Sequence, residues 1–271
     1  MIENYINTLS PISLALFAGF FTWTLTAFGA SLVFFFKNVS RKILDTALGF
    51  AAGVMIAASF WSLLDPAIEM AQNFPIPSWI PPASGFVLGA LFLRLIDMLL
   101  PHLHFQSPIE KAEGIKTSFR RTTLLVFAVT LHNIPEGLAI GVSFGAHALE
   151  PSSVTLLSSI VLAFGIGIQN IPEGFAISMP LRGEGFSRGK SFFYGQLSGF
   201  VEPLFAVLGV LLVEIMQNFL PYALGFAAGA MIFITVEELI PESQRNGNSD
   251  LATAGLIIGF TLMMILDVAF K

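Results

Sequence analysis

Two nearly identical stretches lie far apart in the chain: ALGFAAGVMI at residues 47–56 and ALGFAAGAMI at residues 223–232. They differ at one position, where Val54 corresponds to Ala230. Each stretch holds two glycines four residues apart, a spacing that lets two membrane helices approach closely. Chance similarity of two small-residue packing faces is the alternative interpretation, but a match of this length favours an internal repeat.

Both stretches lie in a chain with the composition of a membrane protein. Of its 271 residues, 55% are apolar and 11% are charged, whereas soluble domains are about a quarter charged. Helices buried in a soluble core would leave no polar surface to solvate them. Because a bilayer span needs about 20 apolar residues, we predict an all-α membrane protein. Residues 1–271 are predicted to form one transmembrane domain with eight spans, near 11–36, 44–64, 83–100, 122–145, 153–180, 191–215, 222–241 and 251–270.

The basic residues predict how these spans are oriented, because cytoplasmic loops carry an excess of Lys and Arg. Apart from Arg94 and Lys271, every basic residue lies at the connection after the first, third, fifth or seventh span. Both termini are therefore predicted to be outside. The second span then runs outward and the seventh inward. A near-identical stretch in oppositely oriented helices indicates a 3+2+3 inverted repeat, in which the first three spans recur as the last three.

A second duplicated motif carries polar groups: LHNIPEGLAI at residues 131–140 in the fourth span and IQNIPEGFAI at residues 168–177 in the fifth. Both motifs are predicted near the membrane midplane. Residues three and four apart share one face of a helix, so each glutamate lies beside the two polar residues that precede the motif's Ile. These groups are His132, Asn133 and Glu136 in one helix, and Gln169, Asn170 and Glu173 in the other.

Ionisable side chains at the bilayer centre are expensive, about 2.5–3.5 kcal/mol each on insertion scales. The cost applies to His132, Glu136, Glu173 and Glu202, none of which has Lys or Arg close in sequence. Three such carboxylates can hold protons, find distant partners or bind a cation. A hydrogen bond between helices, or a simple proline kink, would explain any one of these residues alone. The duplication favours a divalent metal site instead.

Facing motifs would form two adjacent metal positions. Glu136 and Glu173 can bridge both positions. The further candidate ligands are His132 and Gln169 at the first position, and Asn133, Asn170 and Glu202 at the second. Pro135 and Pro172 each free a backbone carbonyl one turn earlier, which could also face an ion.

Residue types that are absent narrow the chemistry. The chain has no cysteine, so thiolate sites and disulfides are excluded. Imidazole, carboxylate and amide ligands suit Zn, Fe, Mn, Co or Cd better than Cu(I). The formal net charge is −5 and no basic patch is present, which argues against nucleic acid as a partner. There is no ATP-binding G-x-x-x-x-G-K-[ST] motif, and no H-E-x-x-H motif of a metalloprotease.

These residues resemble the ZIP (Zrt/Irt-like) family of divalent metal transporters, in particular its GufA-like branch. The resemblance covers the whole chain and rests on HNIPEG in the fourth span and QNIPEG in the fifth. It implies eight spans with outside termini, a binuclear site, and import of zinc and related ions by elevator-like alternating access. It also implies Met55 as a ligand of the first position, where spacing alone indicates core packing. A homodimer is compatible with it.

Peripheral residues are candidates for the ion pathway, although solvated surface groups are the simpler interpretation. The predicted outer helix ends hold Asp65, Glu69 and Asp267; the inner end of the seventh span holds Glu237 and Glu238; and a cytoplasmic loop holds His102 and His104.

We therefore expect a transporter rather than an enzyme, with divalent metal ions and the lipid bilayer as partners and no organic cofactor. Zinc is the first candidate, followed by Cd, Fe, Mn and Co. A metal-selective channel is the alternative, and an intramembrane metalloenzyme is disfavoured. The expected location is the inner membrane of a prokaryotic cell.

Overall fold

The computed structural model describes residues 9–36, 39–99, 121–183, 185–215 and 219–270, with side chains described from residue 130 onward in the third range. Regular structure in these ranges is helical. The α-helices are α1 (Pro11–Ser31), α2 (Arg41–Ala58), α3 (Asp65–Ala71), α4 (Ile80–Leu99), α5 (Arg121–Leu149), α6 (Leu156–Gly183), α7 (Arg188–Leu197), α8 (Val201–Ile215), α9 (Leu220–Ile234), α10 (Ile240–Gln244) and α11 (Ser249–Ala269).

Short helical turns join several of these helices into longer segments. A π-helical turn at Ser59–Leu64 joins α2 to α3, and another at Thr235–Leu239 joins α9 to α10. A 3₁₀ turn at Ser198–Phe200 joins α7 to α8, and one at Leu32–Phe34 follows α1.

Seven segments of the described chain are long and apolar enough to cross a membrane: Pro11–Phe34, Arg41–Ala71, Ile80–Leu99, Leu156–Gly183, Arg188–Ile215, Leu220–Gln244 and Ser249–Ala269. The 29-residue helix α5 lies between the third and fourth of them in the chain. The prediction of an all-α membrane protein is confirmed at this level. The count of eight spans, the placement of the termini and the single transporter domain stay predictions.

Two helical segments extend beyond the predicted ends of their spans. The second span continues to Ala71 instead of ending near 64, and the seventh continues to Gln244 instead of 241. Pro66 and Pro241 lie in these extensions, each in the first turn after a π-helical turn. Proline cannot donate to the carbonyl one turn earlier, and the change to a π-helical turn just before it lets the helix continue without that bond.

The π-helical turns extend the similarity between the two ALGFAAG stretches. Ser59 and Thr235, with which the turns begin, are 176 residues apart, as are the stretches themselves. Ser59 Oγ donates to the carbonyl oxygen of Met55 at 2.7 Å, and Thr235 Oγ1 donates to that of Met231 at 2.8 Å. Both halves of the chain therefore use a hydroxyl one turn after the methionine in the same way.

Glycines of the two repeated stretches allow close contact between helix pairs that correspond in the two halves of the chain. A Cβ atom at Gly53 would overlap the Leu256 carbonyl, so α2 packs closely on α11. A Cβ atom at Gly229 would overlap the Phe86 carbonyl, so α9 packs closely on α4. Glycines of the two motifs at residues 131–140 and 168–177 also make close contacts with corresponding helices. Gly174 lies against Thr26, which pairs α6 with α1, and Gly137 lies against Glu202, which pairs α5 with α8.

Candidate metal site

The two I-P-E-G motifs lie in the middle of α5 and α6, which both continue as helices through Pro135 and Pro172. Close glycine contacts pack the motif of α5 on α8 and the motif of α6 on α1. The residues of the motifs that were predicted as ligands are buried, as is Glu202 near the start of α8; the set is His132, Asn133, Glu136, Gln169, Asn170, Glu173 and Glu202.

Glu136 and Glu173 are the buried acids of this region whose side chains lack hydrogen bonds. None of their four carboxylate oxygens has a hydrogen-bond partner. Together with Glu202 they are close enough to repel one another when charged. Among the ion pairs of the described residues, none joins these three acids to Lys or Arg. A buried carboxylate without a partner is costly, so this arrangement is suited to a cation.

Glu202 differs from Glu136 and Glu173 because its carboxylate accepts hydrogen bonds from other side chains of the protein. Asn170 Nδ2 donates to both Glu202 oxygens at 2.9 Å, and Thr26 Oγ1 donates to Oε1 at 3.4 Å. Gln169 Nε2 in turn donates to Asn170 Oδ1 at 3.2 Å, while Gln169 Oε1 has no hydrogen-bond partner. The groups predicted for the first metal position therefore make fewer hydrogen bonds within the protein than the groups predicted for the second.

His132 connects the motif of α5 to the seventh span. Its Nε2 atom lies 3.9 Å from Glu238 Oε1 and makes no hydrogen bond. Glu238 belongs to the π-helical turn Thr235–Leu239. His132 thus lies between the motif glutamates and one of the acids predicted to mark the inner pathway.

Met55 is buried in α2, and its sulfur accepts a hydrogen bond from Thr235 Oγ1 at 3.5 Å. Met231, at the same place in the second copy of the repeat, is fully buried as well. The Thr235 hydroxyl thus contacts the Met55 sulfur and the backbone carbonyl oxygen of Met231, which connects the two copies of the repeat.

The predicted pathway residues fall into separate places. Asp267 Oδ1 accepts from Ser62 Oγ at 2.6 Å in the π-helical turn before Asp65. Asp65 is half-buried at the first residue of α3, and Glu69 is exposed one turn later. Glu237 is exposed and lies 3.9 Å from Arg94 Nη1. His102 and His104 lie outside the described residues.

The described residues contain no group of three His, Asp or Glu side chains close enough to hold a metal ion by themselves. Amide oxygens are therefore needed to complete a ligand set around Glu136 and Glu173. The residues that sequence analysis missed are Thr22, Thr26, Met231 and Thr235. The spacing of 176 residues between the repeats would have indicated Met231 and Thr26 as the counterparts of Met55 and Glu202.

Comparisons with known proteins agree with the resemblance noted from the motifs. The profile of the family described as ZIP Zinc transporter matches residues 104–267. The chain is 44% identical to zinc transporter ZIP11 of Bos taurus, over 96% of this chain and 98% of that protein. It is 43% identical to zinc transporter ZIP11 of Homo sapiens over the same shares. With zinc transporter GufA of Myxococcus xanthus the identity is 39%, over 94% of this chain and 98% of the relative.

Proposed function

Because this chain belongs to the ZIP family of zinc transporters, we propose that it moves divalent transition metal ions, zinc foremost, across a membrane towards the cytoplasm. Its function is transport and not enzymatic catalysis. The observation that carries the proposal is the pair Glu136 and Glu173, buried without hydrogen-bond partners in two copies of one motif. Ions of Cd, Fe, Mn and Co fit the same ligand types.

The proposed site has two adjacent positions that share Glu136 and Glu173. His132, Gln169 and Met55 complete the first, and Asn133, Asn170 and Glu202 complete the second. The buried carboxylate oxygens of Glu136 and Glu173, which have no hydrogen-bond partner, support the first position. At the second, an ion must displace the two bonds that Asn170 makes to the Glu202 oxygens, whereas the longer contact from Thr26 to Oε1 can remain, so we propose that the second position fills after the first.

Transport is tested with purified protein in liposomes that contain a metal-sensitive dye. Zn, Cd, Fe, Mn, Co and Ni are added outside in turn. Saturable, slow uptake supports a carrier that works by alternating access, whereas fast, non-saturating flux would indicate the channel alternative. Liposomes that take up none of these ions faster than protein-free controls would contradict the proposed function.

Calorimetric titration with Zn²⁺ tests how the two positions divide their ligands. The shared glutamates neutralise one dication, and Glu202 is the one remaining charge for a second. We expect wild-type protein to bind more than one ion per chain and Glu202→Gln to bind about one. Glu214→Gln, an exposed acid on the same helix, is the control and should match wild type. His132→Ala should weaken the tighter event. Loss of all binding in Glu202→Gln, or unchanged stoichiometry, would refute this division.

The proposed mechanism uses an inverted 3+2+3 repeat with eight spans. In this repeat the α2–α11 pair corresponds to the α9–α4 pair, and the α6–α1 pair corresponds to the α5–α8 pair. All four pairs are in close contact at a glycine. Such symmetry supports alternating access, because two packings of one fold can open a central site to either side. We propose Asp65, Glu69 and Asp267 as the outer part of the pathway. Glu237, Glu238, His102 and His104 are its proposed inner part.

The proposed topology puts both termini outside and the loop that contains Lys116 in the cytoplasm. Because the chain has no cysteine, a cysteine inserted after Met1 and the variant Lys116→Cys can be compared directly. An impermeant thiol reagent on intact cells is expected to label only the first. Permeabilised cells, in which both should react, are the control. Labelling of Lys116→Cys in intact cells would contradict the topology and the inverted repeat with it.

The chain is an integral membrane protein. We propose the inner membrane of a prokaryotic cell as its location, which the similarity to the Myxococcus xanthus protein over nearly all of both chains supports. A homodimer is proposed as its assembly.

A further inference from the structure

Thr26 in α1 occupies the place that Glu202 occupies in α8. The two residues are 176 residues apart, the same spacing that separates the repeated stretches and their π-helical turns. The contacts agree with this spacing. Gly137 and Gly174 are the same residue of the two I-P-E-G motifs, and they lie against the backbone carbonyls of Glu202 and Thr26, respectively.

The two counterparts also meet each other. Thr26 is fully buried, and its hydroxyl proton is shared between Glu202 Oε1 at 3.4 Å and the Thr22 carbonyl oxygen at 3.3 Å. A Cβ atom at Gly199 would lie 2.8 Å from Thr26 Oγ1 and 2.9 Å from Glu202 Oε1, so this glycine leaves room for the contact. Asn170 bonds to Glu202 and to the backbone oxygen of Thr22, one turn before Thr26. Thr26 therefore lies beside the ligands of the second metal position.

We propose that Thr26 sets how tightly the second position holds its ion, an inference that rests on the proposed function. The counterpart of Thr26 in the other half of the chain, Glu202, is a carboxylate, whereas Thr26 itself has a neutral hydroxyl. Glu136, Glu173 and Glu202 carry three negative charges, whereas two dications carry four positive ones. The second ion is thus held with incomplete neutralisation, which favours its release. The hydroxyl also orients Glu202, so Thr26 acts as a positioning residue and need not touch the metal.

Variants at this position separate the two effects in Zn²⁺ calorimetry on the detergent-purified full chain. Thr26→Asp supplies the missing charge with nearly the same volume. We expect it to tighten the second binding event by about tenfold or more, to leave the first unchanged, and to lower the maximal uptake rate in liposomes. Asn170→Asp adds the same charge on the other side of Glu202 and should shift the second event in the same direction.

Thr26→Val removes only the donor. It is expected to weaken the second event by about tenfold, because a hydrogen bond to a charged group is lost, and Thr26→Ser should restore it. Thr24→Val is the control: Thr24 is exposed on the same helix, and its hydroxyl donates to the Phe20 carbonyl.

The outcomes distinguish this inference from the function on which it rests. Wild-type protein that binds no Zn²⁺ would overturn both. Two events in wild type that neither Thr26→Asp nor Thr26→Val shifts would overturn the inference alone, as would a shift confined to the first event. If Thr26→Asp does not fold, the comparison of Thr26→Val with Thr26→Ser decides: equal second events in those two variants overturn the inference.

Discussion

Glu136→Gln and Glu173→Gln are each expected to reduce metal uptake to the background of protein-free liposomes. Each glutamate is proposed to bridge both metal positions, and each substitution keeps the size of the side chain but removes one of the two charges that neutralise the first dication. Removing one partner of a buried charge pair costs about 3–5 kcal/mol, or about two to four orders of magnitude in binding. The variants should remain folded, because the carboxylates have no hydrogen bonds to lose in the metal-free protein.

Uptake of Zn²⁺ into dye-loaded liposomes measures this loss, and size-exclusion chromatography in detergent shows that the variants are intact. The control is Glu150→Gln, which changes an exposed acid just past the end of α5 and should leave the rate near that of wild type. Transport by either glutamate variant at nearly wild-type rate, with unchanged apparent affinity, would show that the metal site is assigned wrongly.

Gly53→Ala and Gly229→Ala are expected to destabilise the protein strongly, and to similar extents. The new methyl group would overlap a main-chain carbonyl of the neighbouring helix in both cases, Leu256 for Gly53 and Phe86 for Gly229. A backbone carbonyl cannot rotate away as a side chain can, so α2 must separate from α11, or α9 from α4. Overpacking costs about 1–3 kcal/mol, and we expect the upper part of that range.

The thermal unfolding temperature in detergent measures this effect, together with the fraction of protein that elutes as a single species. Gly183→Ala, at the last residue of α6, is the matched control, since nothing lies within 4 Å of a Cβ atom there and its unfolding temperature should stay near that of wild type. Equal stability of all three variants would mean that the close helix contacts do not exist. A large loss of stability in only one of Gly53→Ala and Gly229→Ala would contradict the equivalence of the two repeats.

Internal repetition and local composition were enough to predict the helical membrane fold and the polar centre. Apolar runs predict spans because the bilayer requires them. His132, Glu136, Gln169 and Glu173 could be singled out because polar residues in such runs are costly and their motif occurs twice. The continuation of the second segment through Pro66 to Ala71 was not predicted, because an apolar run does not show where a π-helical turn lets a helix pass a proline.

Tertiary packing decided which groups meet and which are left without partners. A buried threonine in an apolar helix carries no local signal, and Thr26 acquires a role only because glycine contacts bring α1 and α8 together beside α6. The difference between Glu202, held by Asn170 and Thr26, and the unpartnered Glu136 and Glu173 is equally invisible in sequence. The reason is physical: a residue type sets what a side chain can donate or accept, but only the neighbours that folding provides decide whether it does.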